Sequence, residues 1–326
     1  MLEITPTSVR QWSRLGSRGF FGQAILALAE TKQNLMVLSA DLGKSSGLDR
    51  FKDAYPDRFI NVGIAEQNMI GIAAGLAKED FVVFATSFAP FISMRGSEQI
   101  RMNLGYMNLN VKAVAIGSGV AMAYLGCSHY GTEDASIMRS IPNLAVVSPA
   151  DCAEILKTVF AAAEYTGPMY IRLTGASPNQ IVYKEDYDFK IGKAITMRKG
   201  SDITIIANGT MVYESLDAAK LLEVQGLSAT VVNMHTIKPL DTSVIDTAVA
   251  SSKLIVTVEE HSVIGGLGGA VAEYKTTLLT APPQLIIGLP DRFVKAGDYK
   301  FLLEKYGLTA QQITERILNK FYSFSR

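Results

Sequence analysis

Two cysteines, one tryptophan and three histidines are scattered through 326 residues, and neither charge is in excess, with 31 basic against 31 acidic side chains. Each scarcity argues against something. Cys127 and Cys152, at no metal-type spacing, leave no disulfide framework or zinc module and suit a reducing cytoplasm. Balanced charge without a basic run argues against a nucleic-acid surface. The opening MLEITPTSVRQWSRLGSRG is charged and holds no apolar stretch of the kind a signal peptide needs. One uncharged stretch, 113–131, is interrupted by Gly, Ser and His and reads as core beside a site, not as a membrane span. What is abundant is apolar surface, 48% of the chain, enough for a large core and two domains.

Apolar runs of strand length alternate with longer helical patterns, as in a parallel sheet covered on both faces. Strands are expected at 34–40, 58–62, 81–85, 111–117, 144–148 and 169–173, with helices from about Phe20, Glu66, Arg95, Thr132 and Ala150. The segment 174–194 breaks the rhythm with Pro, Gly and clustered charge. A second alternation follows, with strands in DITIIAN, SATVVNM, KLIVTVE and QLIIGLP and helices from Met211, after Asp241, from Gly266 and from Thr309. The expected fold is α/β, two doubly wound and mostly parallel sheet domains over 1–180 and 195–326, joined by a linker at 181–194.

Ligands of doubly wound sheets gather at the carboxyl ends of strands, where the next helix begins. Three such ends carry polar or unusual residues: SADLGKSS after the first strand, Glu66 after the second, and GSGVAMAYLGCSHYGTED after the fourth. Glu66 opens a helix whose Gly71, Gly75, Ala73, Ala74 and Ala77 leave a face almost without side chains, open to close approach by another backbone. A lone acid there is ordinarily a helix-end charge, favoured by the dipole by up to about 1 kcal/mol. If buried, it needs a hydrogen-bond donor, which a ligand ring could supply.

Six stretches in series, GIAEQNMIGIAAGLA, SFAPFISMRGSEQIR, GTEDASIMRSIPNLAVVSP, NMHTIKPLD, VEEHSVIGGLGGAVAE and LLEKYGLTAQQI, resemble the C-terminal subunit of a split transketolase from about Arg18 onward. Each is weak alone; the order and spacing of all six carry the resemblance. It implies the pyrimidine-binding domain of a thiamine diphosphate enzyme followed by the transketolase C-terminal domain. It places Glu66 on N1′ of the cofactor's aminopyrimidine, favouring the tautomer whose exocyclic nitrogen takes the proton from thiazolium C2. Phe88 and Phe91 would pack on the pyrimidine, with Met94 where the family often has Tyr. The family holds the diphosphate through Mg2+ or Ca2+ on a Gly-Asp-Gly motif, which this sequence lacks. The resemblance therefore implies a separate N-terminal subunit that binds metal and diphosphate, an α2β2 assembly, and an interface over the small-residue face at Gly71 and Gly75. No metal ligand is expected from this chain itself. GGLGG at 265–269 lacks the spacing of a dinucleotide fingerprint and reads as a helix entry.

His129, in SHYGTED, matches the family segment whose His reaches the donor, where hydrogen bonding and proton transfer to the ketose oxygen are expected. His235 and His261 lie in second-domain motifs and are read as structural. Arg18 and Ser45 match two phosphate contacts on the acceptor side. Taken singly, a pair of phenylalanines, a surface Arg or a turn Ser has an ordinary structural explanation. Against these matches stand departures: Gly117 and Gly175 replace a phosphate-contacting His and Arg, and Tyr124 and Leu125 replace an acidic pair whose Asp recognises the acceptor's 2-hydroxyl. The resemblance thus implies transfer of a two-carbon ketol unit from a ketose to an aldehyde, on a non-standard sugar or sugar phosphate. Two alternatives are a decarboxylating thiamine enzyme, of the deoxyxylulose-phosphate synthase or 2-oxo-acid dehydrogenase β type, and a scaffold subunit without catalysis.

Overall fold

The computed structural model describes residues 2–323. The first half contributes β1 (Leu35–Ser39), β2 (Phe59–Asn61), β3 (Val82–Phe88), β4 (Val111–Ile116), β5 (Ala145–Val147) and β6 (Met169–Leu173). All but β2 are buried along their whole length, which explains why these runs show no polar alternation: both faces are covered. The second half adds β7 (Ile195–Arg198), β8 (Ile203–Ala207), β9 (Ala229–Asn233), β10 (Thr236–Lys238), β11 (Leu254–Ser262) and β12 (Gln284–Leu289). They form two sheets, ordered β10-β5-β6-β4-β3-β1-β2 and β12-β11-β8-β9-β7. Every pairing is parallel except β10 on β5 and β7 on β9.

Helices α1 (Pro6–Ala29), α2 (Asp49–Ala54), α3 (Glu66–Lys78), α4 (Ser97–Gln99), α5 (Asp134–Arg139) and α6 (Cys152–Glu164) flank the first sheet, and α7 (Met211–Val224), α8 (Thr242–Ser251), α9 (Leu267–Lys275), α10 (Tyr299–Lys305) and α11 (Ala310–Tyr322) follow. One apolar cluster, with Phe20, Phe21 and Ile25 of α1, covers one face of the first sheet and continues into the second half. Met69, Ile70 and Ala73 of α3 belong to the cluster on the other face.

Besides the short β7, α2 and α10, which the sequence reading did not expect, the structure differs from it in three places. The first helix starts at Pro6, not near Phe20: Thr5 and Ser8 cap it reciprocally, and Gly16 breaks it with a φ of 71°. The helix expected from Arg95 is instead wound as two π turns, Phe91–Arg95 and Ile100–Tyr106, on either side of α4. Most consequentially, β10 comes from the second half yet pairs with β5 of the first sheet, Thr236 opposite Val147. The two sheets are interlocked by this exchange.

Candidate active site

Glu66 is the first residue of α3, four residues of loop (62–65) after the end of β2, and is 1% exposed. Ser87, on the penultimate residue of β3, donates its hydroxyl to Glu66 Oε1 at 3.1 Å. Arg95 Nη1 donates to Oε2 at 2.6 Å while its own side chain stays 46% exposed. The buried acid is thus satisfied from one side by the sheet and from the other by a half-exposed side chain. The same guanidinium lies over Phe91, its central carbon 4.6 Å from the ring centroid. Its reach comes from the π turn, in which the Gly96 N–H donates to the Phe91 carbonyl at 3.2 Å, five residues back, widening the helix by one residue.

Phe91, Phe88 at the end of β3 and His129 in the loop after β4 form one aromatic group. Their ring centroids are 5.9 Å (Phe88–Phe91), 5.6 Å (Phe88–His129) and 5.3 Å (Phe91–His129) apart, all edge to face. His129 Nδ1 is 2.9 Å from Ser128 Oγ, which steadies the ring. Four of the expected residues, Glu66, Phe88, Phe91 and His129, are therefore brought together at three strand ends. Met94 is exposed, and the position over Phe91 is taken by Arg95, a residue whose part sequence reasoning missed.

The His129 loop is held by the second half of the chain. Glu260, fully buried on β11, accepts from the Val120 N–H at 2.8 Å, Thr210 Oγ1 at 2.7 Å and Tyr299 Oη at 2.7 Å. Burial raises its carboxyl above the usual range and these donors oppose the rise. Cys127 Sγ donates to the Val294 carbonyl at 2.8 Å, and Gly297 N–H to that of Ala123 at 3.4 Å. Deeper, Arg172 pairs with Asp134 at 2.9 Å and donates to the carbonyls of Gly131 and Glu260, with Tyr170 Oη on Asp134 at 2.9 Å. In the loop itself Tyr124 is 74% and Leu125 51% exposed.

Arg18 and Ser45 lie on elements that touch each other. Gly22 and Gly19 of α1 lie so close to Gly47 that a side chain at Gly22 would run into the Gly47 carbonyl, which lays the turn carrying Ser45 against the helix carrying Arg18. Partial burial lowers the Arg18 guanidinium from its ordinary value. Among the described residues no hydrogen bond links Arg18 or Ser45 to the Glu66–His129 group. Gly117 and Gly175 have no room for larger residues: a Cβ at Gly117 would meet Met122 Sδ, and one at Gly175 would lie 2.7 Å from Thr210 Cγ2 and 2.8 Å from Asn179 Oδ1. The other two histidines are packed away from this group. His235 is buried against Phe189, which lowers its imidazole to about 4, and His261 accepts the Ser136 N–H at 3.3 Å.

Comparison with known proteins follows this division. Residues 14–178 match the family model for the transketolase pyrimidine-binding domain, and 192–313 that for the transketolase C-terminal domain. A protein of Methanocaldococcus jannaschii described as a transketolase C-terminal section is 43% identical over 94% of this chain and 96% of its own length. A 6-deoxy-6-sulfo-D-fructose transketolase subunit from a Clostridium species is 39% identical, covering 91% of each. Among solved structures, a split-gene transketolase described as an inactive β4 tetramer superposes with a TM-score of 0.86 at 40% identity, over 94% of this chain and 98% of that one. Matched over both of its halves and along nearly the full length of relatives that are themselves sections of divided enzymes, the chain belongs to the transketolase family as the C-terminal part of an enzyme split between two polypeptides.

Proposed function

We propose that this chain supplies the pyrimidine-binding half of a thiamine diphosphate site, completed by a separate subunit that holds the diphosphate and Mg2+ or Ca2+ in an α2β2 assembly. The observation that carries the reading is Glu66, a buried strand-end carboxylate paired with a displaceable partner beside aromatic rings. The donor set fits the group: a flat, N–H-bearing cation already stacks on Phe91 and donates to Glu66, which is what an aminopyrimidine would do there. Bound thiamine diphosphate supplies, at thiazolium C2, the nucleophile that ketol transfer needs. Glu66 would hold a proton at N1′, Phe88 and Phe91 would keep the ring oriented and dry, and His129 would donate to the ketose oxygen. Arg18 and Ser45 would lie on the acceptor side.

The substrate proposed is a ketose donor and an aldehyde acceptor of non-standard form. Met122 fills the place where a phosphate-contacting His would stand at 117, Thr210 and Asn179 fill that of an Arg at 175, and Leu125 offers no acceptor for a 2-hydroxyl. A relative that acts on a sulfonated ketose shows the split architecture in use outside ordinary sugar phosphates. The intact Glu66 group speaks against a scaffold without catalysis. The two free thiols fit a cytoplasmic enzyme, and no helix among the described residues is long and apolar enough to cross a membrane. The test is Glu66→Gln in the assembled complex. Assembly should persist while hydrogen–deuterium exchange at thiazolium C2 slows by orders of magnitude, because an amide cannot deliver that proton; an unchanged exchange rate would leave Glu66 as a helix-end charge.

A further inference from the structure

Glu66 is engaged from two sides that differ in kind. Ser87 donates to Oε1 from within β3 and is fully buried, so it is fixed by the sheet. Arg95 donates to Oε2 from the last residue of a π turn and is 46% exposed. Arg95 thereby uses the carboxylate oxygen and the ring face of Phe91 that the reading above allots to the aminopyrimidine. A single stacking face and a single inward oxygen cannot serve both groups at 2.6 Å and 4.6 Å.

We propose that Arg95 closes the aminopyrimidine seat in the chain without its partner, and that the pyrimidine ring enters only by displacing it. The proposal rests on the cofactor reading of Glu66 and adds a competitor to it. Physically, a carboxylate buried this deeply is costly unless paired. Arg95 provides the pairing before assembly, at little cost to itself, because a half-exposed guanidinium returns to water when it lets go. The π turn aims Arg95 back at Glu66 instead of along the helix. A pyrimidine ring without its diphosphate anchor brings only one stack and one hydrogen bond, and so competes poorly. Once the diphosphate is held by the partner, the same ring arrives at high effective concentration and wins. Arg95 therefore favours loading of the assembled complex over loading of the lone chain.

The test uses the isolated full chain and a fragment, 4-amino-5-hydroxymethyl-2-methylpyrimidine. Binding is followed by NMR line broadening of the fragment and by the carbon-13 shifts of the Glu side-chain carboxyls. Arg95→Ala should tighten the fragment on the order of tenfold, the worth of one partly exposed charge-assisted hydrogen bond. Arg95→Lys, which can pair but not stack flat, should fall between that variant and the native chain. Glu66→Gln should lose the fragment. Equal, weaker or undetectable binding by Arg95→Ala overturns the competition and leaves the role of Glu66 standing. Fragment binding that is the same in Glu66→Gln overturns the cofactor seat itself.

Discussion

Leu125 stands on the His129 loop, on the proposed path of the acceptor aldehyde, half exposed and without a polar atom in its side chain. A hydroxyl placed against it would exchange water for nothing, at about 1 to 3 kcal/mol. The assembled enzyme should therefore prefer aldehydes that lack a 2-hydroxyl, or carry a different substituent there, over ribose 5-phosphate. Leu125→Asp should move the kcat/KM ratio of matched aldehydes back toward the hydroxylated one by roughly tenfold or more. If ribose 5-phosphate is as good a substrate as every deoxy analogue, and the substitution changes nothing, Leu125 does not select the acceptor. Of the residues in the aromatic and acidic group, Glu66 and the stretch that carries His129 were legible because strand ends are where such folds place ligands, whereas Phe88, Phe91 and the choice of His129 came from the resemblance to transketolases. Arg95 and Met122 were not legible. Arg95 reaches Glu66 only through an extra residue in a π turn, and Met122 matters only because a glycine faces it across the loop. Neither relation has a spacing that the sequence displays.

Along α3, Gly71 and Gly75 meet nothing: a Cβ at either would have no neighbour within 4 Å. The turn Ile100–Tyr106 packs beside this helix, and Met102, Tyr106 and Met107 at and just beyond it are exposed. Open glycines on the exposed face of a helix whose other face is buried are an approach surface for another chain. Gly71→Leu should leave the isolated chain as stable as before or more so, by up to about 1 kcal/mol from helix propensity. The same change should weaken assembly with the partner, measured by sedimentation. Unimpaired assembly would remove this face from the interface. Elements with a clear apolar pattern were readable from the sequence, with α3 and β6 starting where their patterns start, whereas the first two turns of α1 carry no such pattern and were missed. The three residues of β10 and the four of β7 were not readable either: both are added antiparallel at a sheet edge, outside the parallel alternation that located the other strands.

The break in composition after β6 announced two sheets, but nothing in it announced how they are joined. Beyond β10, the junction is a buried polar knot. Asp151 caps α6 through the Glu154 N–H at 2.9 Å and accepts from the linker N–H groups of Val182 and Tyr183 at 2.7 and 2.8 Å. Glu154 accepts from Asn233 of β9 at 2.9 Å and from Tyr187 at 3.3 Å. Burial pushes Glu154 up to about 7 and Asp151 up to about 6. A carboxyl whose folded value is raised binds its proton more tightly in the folded state, so stability should fall as pH rises from about 4 to about 7. For Glu154 the fall is on the order of 3 kcal/mol. Glu154→Gln should flatten that slope in thermal unfolding measured across this range; an identical slope would place the titration elsewhere.

At the same scale, this chain is proposed to be half of a shared site. The direct measurement is calorimetric titration of thiamine diphosphate with magnesium into the isolated chain, and into the chain mixed with its diphosphate-binding subunit. The account predicts negligible or millimolar binding by the chain alone, and micromolar or tighter, magnesium-dependent binding by the mixture. Tight magnesium-dependent binding by the isolated chain would contradict it.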